Sequence, residues 1–330
     1  MSPNRTSRRQ LALGMAATAF GMSAFAHTLR AAAMQASTPA AAPDLQSYGY
    51  PTLDVTVTST GYEGIPAELS ADRYLVTVTP SDGIDYGAGV GFVQPNDMSV
   101  EAFLAATMGS SPEASPEASV APVEASPATG GASANPLDAL LAATFAGGAH
   151  SLAGEPMQVV LDLTPGQWIA WAFEPEAPQQ PVSFTVTGNM PGDPAEPAAS
   201  ATLAMSEYDI AVSQGALTAG TQVIKVENIG AQPHFLDLYK GPDSFTEAQV
   251  ETVLNEQMQA EMTGTPPGYS DLNPDEDFDE VFVTTTQSTG IANWFSIDLE
   301  SGTYMAICFF PGPDGVPHAY HGMYSVIGVE

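Results

Sequence analysis

The last stretch of the chain, Cys308 to Glu330, gathers a thiol, two imidazoles and a thioether: Cys308, His318, His321 and Met323. Cys308 is the only cysteine and so has no internal disulfide partner. Soft and borderline donors of this kind suit copper better than magnesium or calcium. A further imidazole, His234, stands in the run N-I-G-A-Q-P-H. Two imidazoles and a thiolate in a near-trigonal set, with a weak axial thioether, hold Cu(I) and Cu(II) with little rearrangement between them. His234, Cys308, His318 and Met323 supply that set, for one copper ion per chain, with His321 a rival to His318. Each residue also has a packing role open to it. Cys308 beside Phe309 and Phe310 reads as a small buried apolar group, Met323 as strand core, and His234 as a hydrogen-bonded edge residue.

Such donors need strands to hold them, and the sequence predicts strands. Short β-branched runs bounded by turn formers recur at 53–60, 73–80, 89–93, 159–173, 181–188, 208–212, 220–227, 235–239, 280–286, 292–299, 302–309 and 323–329. Helices are expected at 99–108, capped by Ser99, at 137–145, and at 244–262, with Ser244 and Glu247 as a capping box. The two halves parallel each other: L-T-P-G-Q-W-I-A-W-A-F at 163–173 matches L-E-S-G-T-Y-M-A-I-C-F at 299–309. Ala172 falls where Cys308 falls, so one copy carries donors and the other does not.

The net charge of −31, from 38 acids and 7 bases, excludes nucleic acid and anionic membrane surfaces as partners and suits a basic-faced protein partner. Residues 1–36 hold four of the seven bases and no acid. S-R-R-Q-L at 7–11 before a short apolar run predicts a twin-arginine export leader, cleaved after Ala26 or Ala36. The mature chain is then exported, to the periplasm, the cell surface or the exterior, without a membrane-spanning segment. Residues 37–48 read as a flexible segment, 49–188 as a first domain with a disordered Ser/Pro/Glu/Ala insert at 110–136, 189–204 as a linker, and 205–330 as a second domain. Asp271 to Glu280 is rich in acids but lacks the spacing of a calcium loop, and reads as a solvated loop. No hydrolase, zinc-protease, dithiol or phosphate-loop motif is present, so no enzyme is expected.

The segments N-x-G-x-x-x-H at 228–234, G-T-Y-x-x-x-C at 302–308 and P-H-A-Y-H-G-M at 317–323 resemble the cupredoxins, the blue copper proteins of the plastocyanin and azurin type. The resemblance implies an all-β protein of two cupredoxin-like Greek-key β-sandwich domains in tandem, with short helices in loops. It implies a type 1 copper site formed by His234, Cys308, His318 and Met323 in the second domain, and none in the first. The implied function is single-electron transfer between redox partners. The alternatives are an extracellular copper-binding or copper-delivery protein, and a non-metal structural or adhesion module. Two features depart from the family pattern. Nine residues separate Cys308 from His318, a long loop, and Phe235 and Phe309 stand where polar residues support the ligands in many members.

Overall fold

The computed structural model describes residues 44–330 apart from 83, 85–86, 109–134, 153, 173–179 and 193. The expected leader at 1–36, and the insert at 110–136 up to position 134, lie outside the described residues. In the first half, β1 (Thr52–Thr58), β2 (Gly61–Glu63), β3 (Glu68–Ser70), β4 (Asp72–Pro80) and β5 (Ala88–Gln94) precede two helices, α1 (Val100–Thr107) and α2 (Pro136–Ala142). The strands β6 (Thr144–Ser151), β7 (Met157–Leu163), β8 (Gly166–Trp171) and β9 (Val182–Thr187) complete it. The second half holds β10 (Ala201–Ser206), β11 (Asp209–Gly215), β12 (Gly220–Asn228) and β13 (Asp237–Lys240), then α3 (Glu247–Thr263) and α4 (Pro274–Asp277). Four strands follow: β14 (Asp279–Val283), β15 (Ala292–Leu299), β16 (Gly302–Ile307) and β17 (Tyr324–Val329).

These strands form three sheets. One has eight strands in the order β11-β10-β12-β15-β7-β4-β1-β2, and it runs through both halves. The others have five strands, β3-β9-β8-β5-β6, and four, β14-β13-β16-β17. Most ladders are antiparallel, while β1/β4, β10/β12 and β3/β9 are parallel. The seam of the large sheet is β7 against β15, with Val159 opposite Phe295 and Val160 opposite Trp294. Strand alternation places Val159 and Phe295 in the main core and sends Val160 and Trp294 to the other face. There Trp294 packs with Leu45, Leu75 and Val223. The Arg73 guanidinium lies 4.7 Å from the Trp294 ring and grips Asp162 through two bonds of 2.7 and 2.9 Å. Arg73 also donates to the carbonyls of Pro194 and Ala195, which ties the connecting segment down.

The expectation of two cupredoxin-like Greek-key sandwiches in tandem is therefore corrected. The continuous eight-stranded sheet and a main core that draws on strands of both halves make the halves one body rather than two successive domains. Positions 201–204, expected to be linker, are strand β10. The helices are not all short: α3 has 17 residues. Its cap is Thr246 with Gln249, not Ser244 with Glu247, because Ser244 sits at a left-handed φ of 62°. Among the described residues no helix is long and apolar enough to cross a membrane. The duplication shows in one detail. Trp168 Nε1 donates to the carbonyl of Thr164 and Tyr304 Oη to that of Glu300, each at 2.7 Å and each four residues back.

The helix expected at 137–145 ends at Ala142, and strand β6, of sequence T-F-A-G-G-A-H-S, begins at Thr144 and carries contact between the halves. Gly147 has φ of +86°, and a Cβ there would stand 1.7 Å from Oδ1 of Asn293 on β15. Asn293 in turn donates to the carbonyl of Ala146 at 3.0 Å. Gly147→Ala is expected to destabilise the protein by about 2–3 kcal/mol, through strain and overpacking together. In denaturant titrations followed by both far-UV and tryptophan signals, the loss should appear as one shifted transition. Separate transitions for the two halves would contradict the single-body description.

Candidate metal centre

The donors are placed by short-range hydrogen bonding in the run from Asn228 to His234. Asn228 is fully buried and satisfied: its Oδ1 accepts from Gly230 N at 2.9 Å, and its Nδ2 donates to the carbonyls of Gln232 and Gln287 at 2.7 and 2.8 Å. Gly230 passes so close to the site that a Cβ would lie 3.0 Å from His234 Nε2 and 2.7 Å from a Glu207 oxygen. His234 then pairs through its main chain with Gln287, in two bonds of 3.0 and 2.7 Å. On the other side, Cys308 follows directly after β16, and its N–H donates to the Met323 carbonyl at 3.2 Å. His318 opens a 3-10 turn at His318–His321, and its N–H donates to the Phe310 carbonyl at 2.9 Å.

The result is a closed group of three side chains, His234, Cys308 and His318, each with no exposure to solvent. The two Nδ1 atoms are 3.0 Å apart, and the Cys308 sulfur lies 3.9 Å from that of His234 and 3.8 Å from that of His318. A point equidistant from all three lies about 2.1 Å from each, within the range of metal–imidazole and metal–thiolate bonds. His321 is not in the group; its Nε2 pairs with Asp314 Oδ2 at 3.0 Å at the surface, which settles the rivalry with His318. Met323 is fully buried beside the group, with its N–H on the His318 carbonyl at 3.0 Å. Among the described residues no hydrogen bond joins its thioether to the three donors. The expected set of two histidines, a thiolate and a thioether is corrected to His234, Cys308 and His318.

The surroundings fix which ring atoms face inward. His318 Nε2 is 3.1 Å from Gln232 Oε1, which makes that nitrogen the donor and turns a bare Nδ1 toward His234. His234 Nε2 has no partner within hydrogen-bond distance; the nearest acceptor is Glu207 Oε1 at 3.7 Å. Glu207 is held in place by the N–H groups of Ala231 and Gln232. Burial would raise its carboxyl, but those amides outweigh burial and keep it below its usual range. Burial pushes both His234 and His318 down to about 4, with Glu207 opposing the shift in each case. Burial also pushes the Cys308 thiol up to about 12, against the pull of the Phe235 and Phe310 N–H groups. Tyr208, 39% exposed and at a left-handed φ of 63°, covers the site, its ring centre 5.7 Å from His318 and 5.0 Å from His321.

Glu207, Tyr208 and Gln287 are not marked by the sequence, because no local pattern links them to His234. Gln232 lies inside the 228–234 segment and could have been singled out as a polar side chain beside an imidazole. Neutral rings and a neutral thiol can hydrogen-bond among themselves, or exchange the thiol proton for a metal ion that all three donors reach.

No protein-family model matches the chain, and no curated protein matches it. Among solved structures, reduced auracyanin from Roseiflexus castenholzii is 19% identical, with a TM-score of 0.25, over 39% of this chain and 94% of that one. Auracyanin A, titled a "blue" copper protein from Chloroflexus aurantiacus, is 21% identical over 39% and 99%, with a TM-score of 0.24. Reduced rusticyanin is 16% identical over 39% and 78%, with a TM-score of 0.23. At these TM-scores the likeness carries no argument. With no family match and a three-donor centre, the cupredoxin assignment and the type 1 electron-transfer function drawn from it are not upheld.

The depressed histidines set a pH dependence. Their folded values lie below the ordinary 6.5, so the stability they contribute is present above about 6.5 and falls as pH drops toward 4, where the native rings also protonate. Metal-free protein should lose folding equilibrium by up to about tenfold per pH unit for each histidine in that window. Urea unfolding at pH 7.5 to 4.5 measures it, and the His234→Gln/His318→Gln double variant should flatten the slope between 6.5 and 5.

Proposed function

We propose that this protein holds one copper ion in a buried, three-donor centre formed by His234, Cys308 and His318. It retains or delivers the metal and makes no covalent bonds. One observation carries this: the three donor atoms converge on a single point at bonding distance, on side chains with no exposure to solvent. A thiolate with two imidazoles in a trigonal arrangement favours Cu(I) over ions that demand oxygen ligands or octahedral shells. Zinc shares the donor preference but normally takes a fourth ligand. Burial keeps the centre from water and from competing thiols. The acidic exterior and the expected twin-arginine leader at 7–11 fit an exported protein whose metal-receiving partner has a basic face.

A second reading is a non-metal structural module, and the complete burial of all three donors favours it. The group would then be a hydrogen-bonded core cluster, with one imidazole N–H shared between the two Nδ1 atoms.

Dialysis against buffered Cu(I), with elemental analysis, separates the two. The expected outcome is one copper per chain, with affinity lowered at least about 100-fold in Cys308→Ser. Absence of stoichiometric copper in the wild-type protein, or unchanged binding in Cys308→Ser, would leave the structural module standing. Because both rings are neutral and only the thiol is protonated at pH 7, binding should release one proton per ion. Calorimetry in buffers of different ionisation enthalpy counts it. The apparent affinity should rise about tenfold per pH unit between pH 6 and 8.

A further inference from the structure

The half of the chain without donors reaches both histidines. Residues 284–288 lie as a rail between β6 of the first half and the His234 segment of the second. On one side β6 touches the rail at Ala149–Thr284 and Ala146–Gln287. Phe145 and Ser288 lock that side with two bonds of 2.9 Å, Phe145 N to Ser288 Oγ and Ser288 N to the Phe145 carbonyl. On the other side Gln287 makes its two main-chain bonds with His234. The Phe145 ring also stands edge-on to Phe310 at 6.0 Å, and Phe310 is 6.1 Å from the His318 ring. One first-half residue thus supports one histidine through the backbone rail and the other through a single intervening ring.

We propose that the donor-free half is the positioning element of the metal centre, and that Phe145 is its positioning residue. The inference rests on the metal-binding reading above. Two imidazole nitrogens 3.0 Å apart must be held there against relaxation, and a bond length off by a few tenths of an ångström weakens a metal–ligand set. Strand β6 supplies that restraint from outside the donor-bearing half. It also explains why a glycine-rich strand is pressed against Asn293 and the rail, since only a backbone without side chains lets β6 approach that closely.

The test uses full-length protein and a chromophoric cuprous chelator in competition. Phe145→Ala is expected to weaken Cu(I) binding at least about tenfold, the range seen when outer-shell supports are removed. Phe145→Leu should restore most of it. The control is Val55→Ala, a cavity at a buried site on β1, which among the described residues pairs with β2 and β4 alone. It should cost folding stability but leave Cu(I) affinity unchanged. If Phe145→Ala fails to fold, Ser288→Ala removes the acceptor of the Phe145 N–H and should weaken binding in the same direction. Wild-type affinity in the folded Phe145 or Ser288 variant overturns the inference, as does an equal loss in Val55→Ala. Wild-type protein that binds no Cu(I) overturns the metal reading itself, so the two failures are distinguishable.

Discussion

The structure depends on the pairing of β7 with β15. Two residue pairs, Val159–Phe295 and Val160–Trp294, turn what would be two sheets into one of eight strands. Burial of apolar residues on both faces of the seam makes this short contact durable. Phe295 and Val159 enter the main core, while Trp294 and Val160 are sealed from outside by Leu45 and Arg73. Arg73 spends its whole guanidinium here, on Asp162, two carbonyls and the Trp294 face, so its charge is buried only where it is paired. Once β7 and β15 are joined, β6 has nowhere to lie except against 284–288 and Asn293.

The same economy of positive charge runs through the described chain. Its three basic residues are all paired: Arg73 with Asp162, Lys225 with Glu227 and Glu196, and Lys240 with Glu300. The acids have no such balance, and the chain carries a net charge of −31. Such a shell raises the local concentration of cations around the buried donor group.

Much of the secondary structure was legible because it follows local rules. The β-branched runs at 73–80, 220–227 and 292–299 became β4, β12 and β15 nearly to the residue. Ser99 caps α1, its hydroxyl accepting from Ala102 N at 3.2 Å. Three of the four expected donors converge, because Asn228, Gly230 and the strand-end position of Cys308 carry their geometry in the sequence. What was not legible is what long-range pairing decides. A glycine-rich segment has no strand propensity of its own, and β6 is a strand only because its neighbours complete it. Joining two similar halves edge to edge leaves no periodic trace, so tandem domains were the natural expectation from a repeat. Glu207 and Gln287 reach the site from distant strands and turns, and no spacing rule finds them.

The donor group itself is under a constraint that hydrogen bonding alone does not resolve. With its proton on Nε2, His318 is satisfied by Gln232 and presents a lone pair at Nδ1. If His234 likewise carries its proton on Nε2, toward Glu207, two lone pairs face each other at 3.0 Å. If its proton moves to Nδ1, the imidazole pair is satisfied, but a bare Nε2 is left buried opposite a carboxylate held below its usual range. A buried polar atom without a partner costs about 1–3 kcal/mol. Either tautomer therefore leaves one unfavourable contact. A cation at the point about 2.1 Å from both nitrogens and the sulfur would remove it, turning opposed lone pairs into ligands and leaving Nε2–H directed at Glu207. Glu207, 3.7 Å from His234 Nε2, would then stand as the outer partner of the coordinated ring.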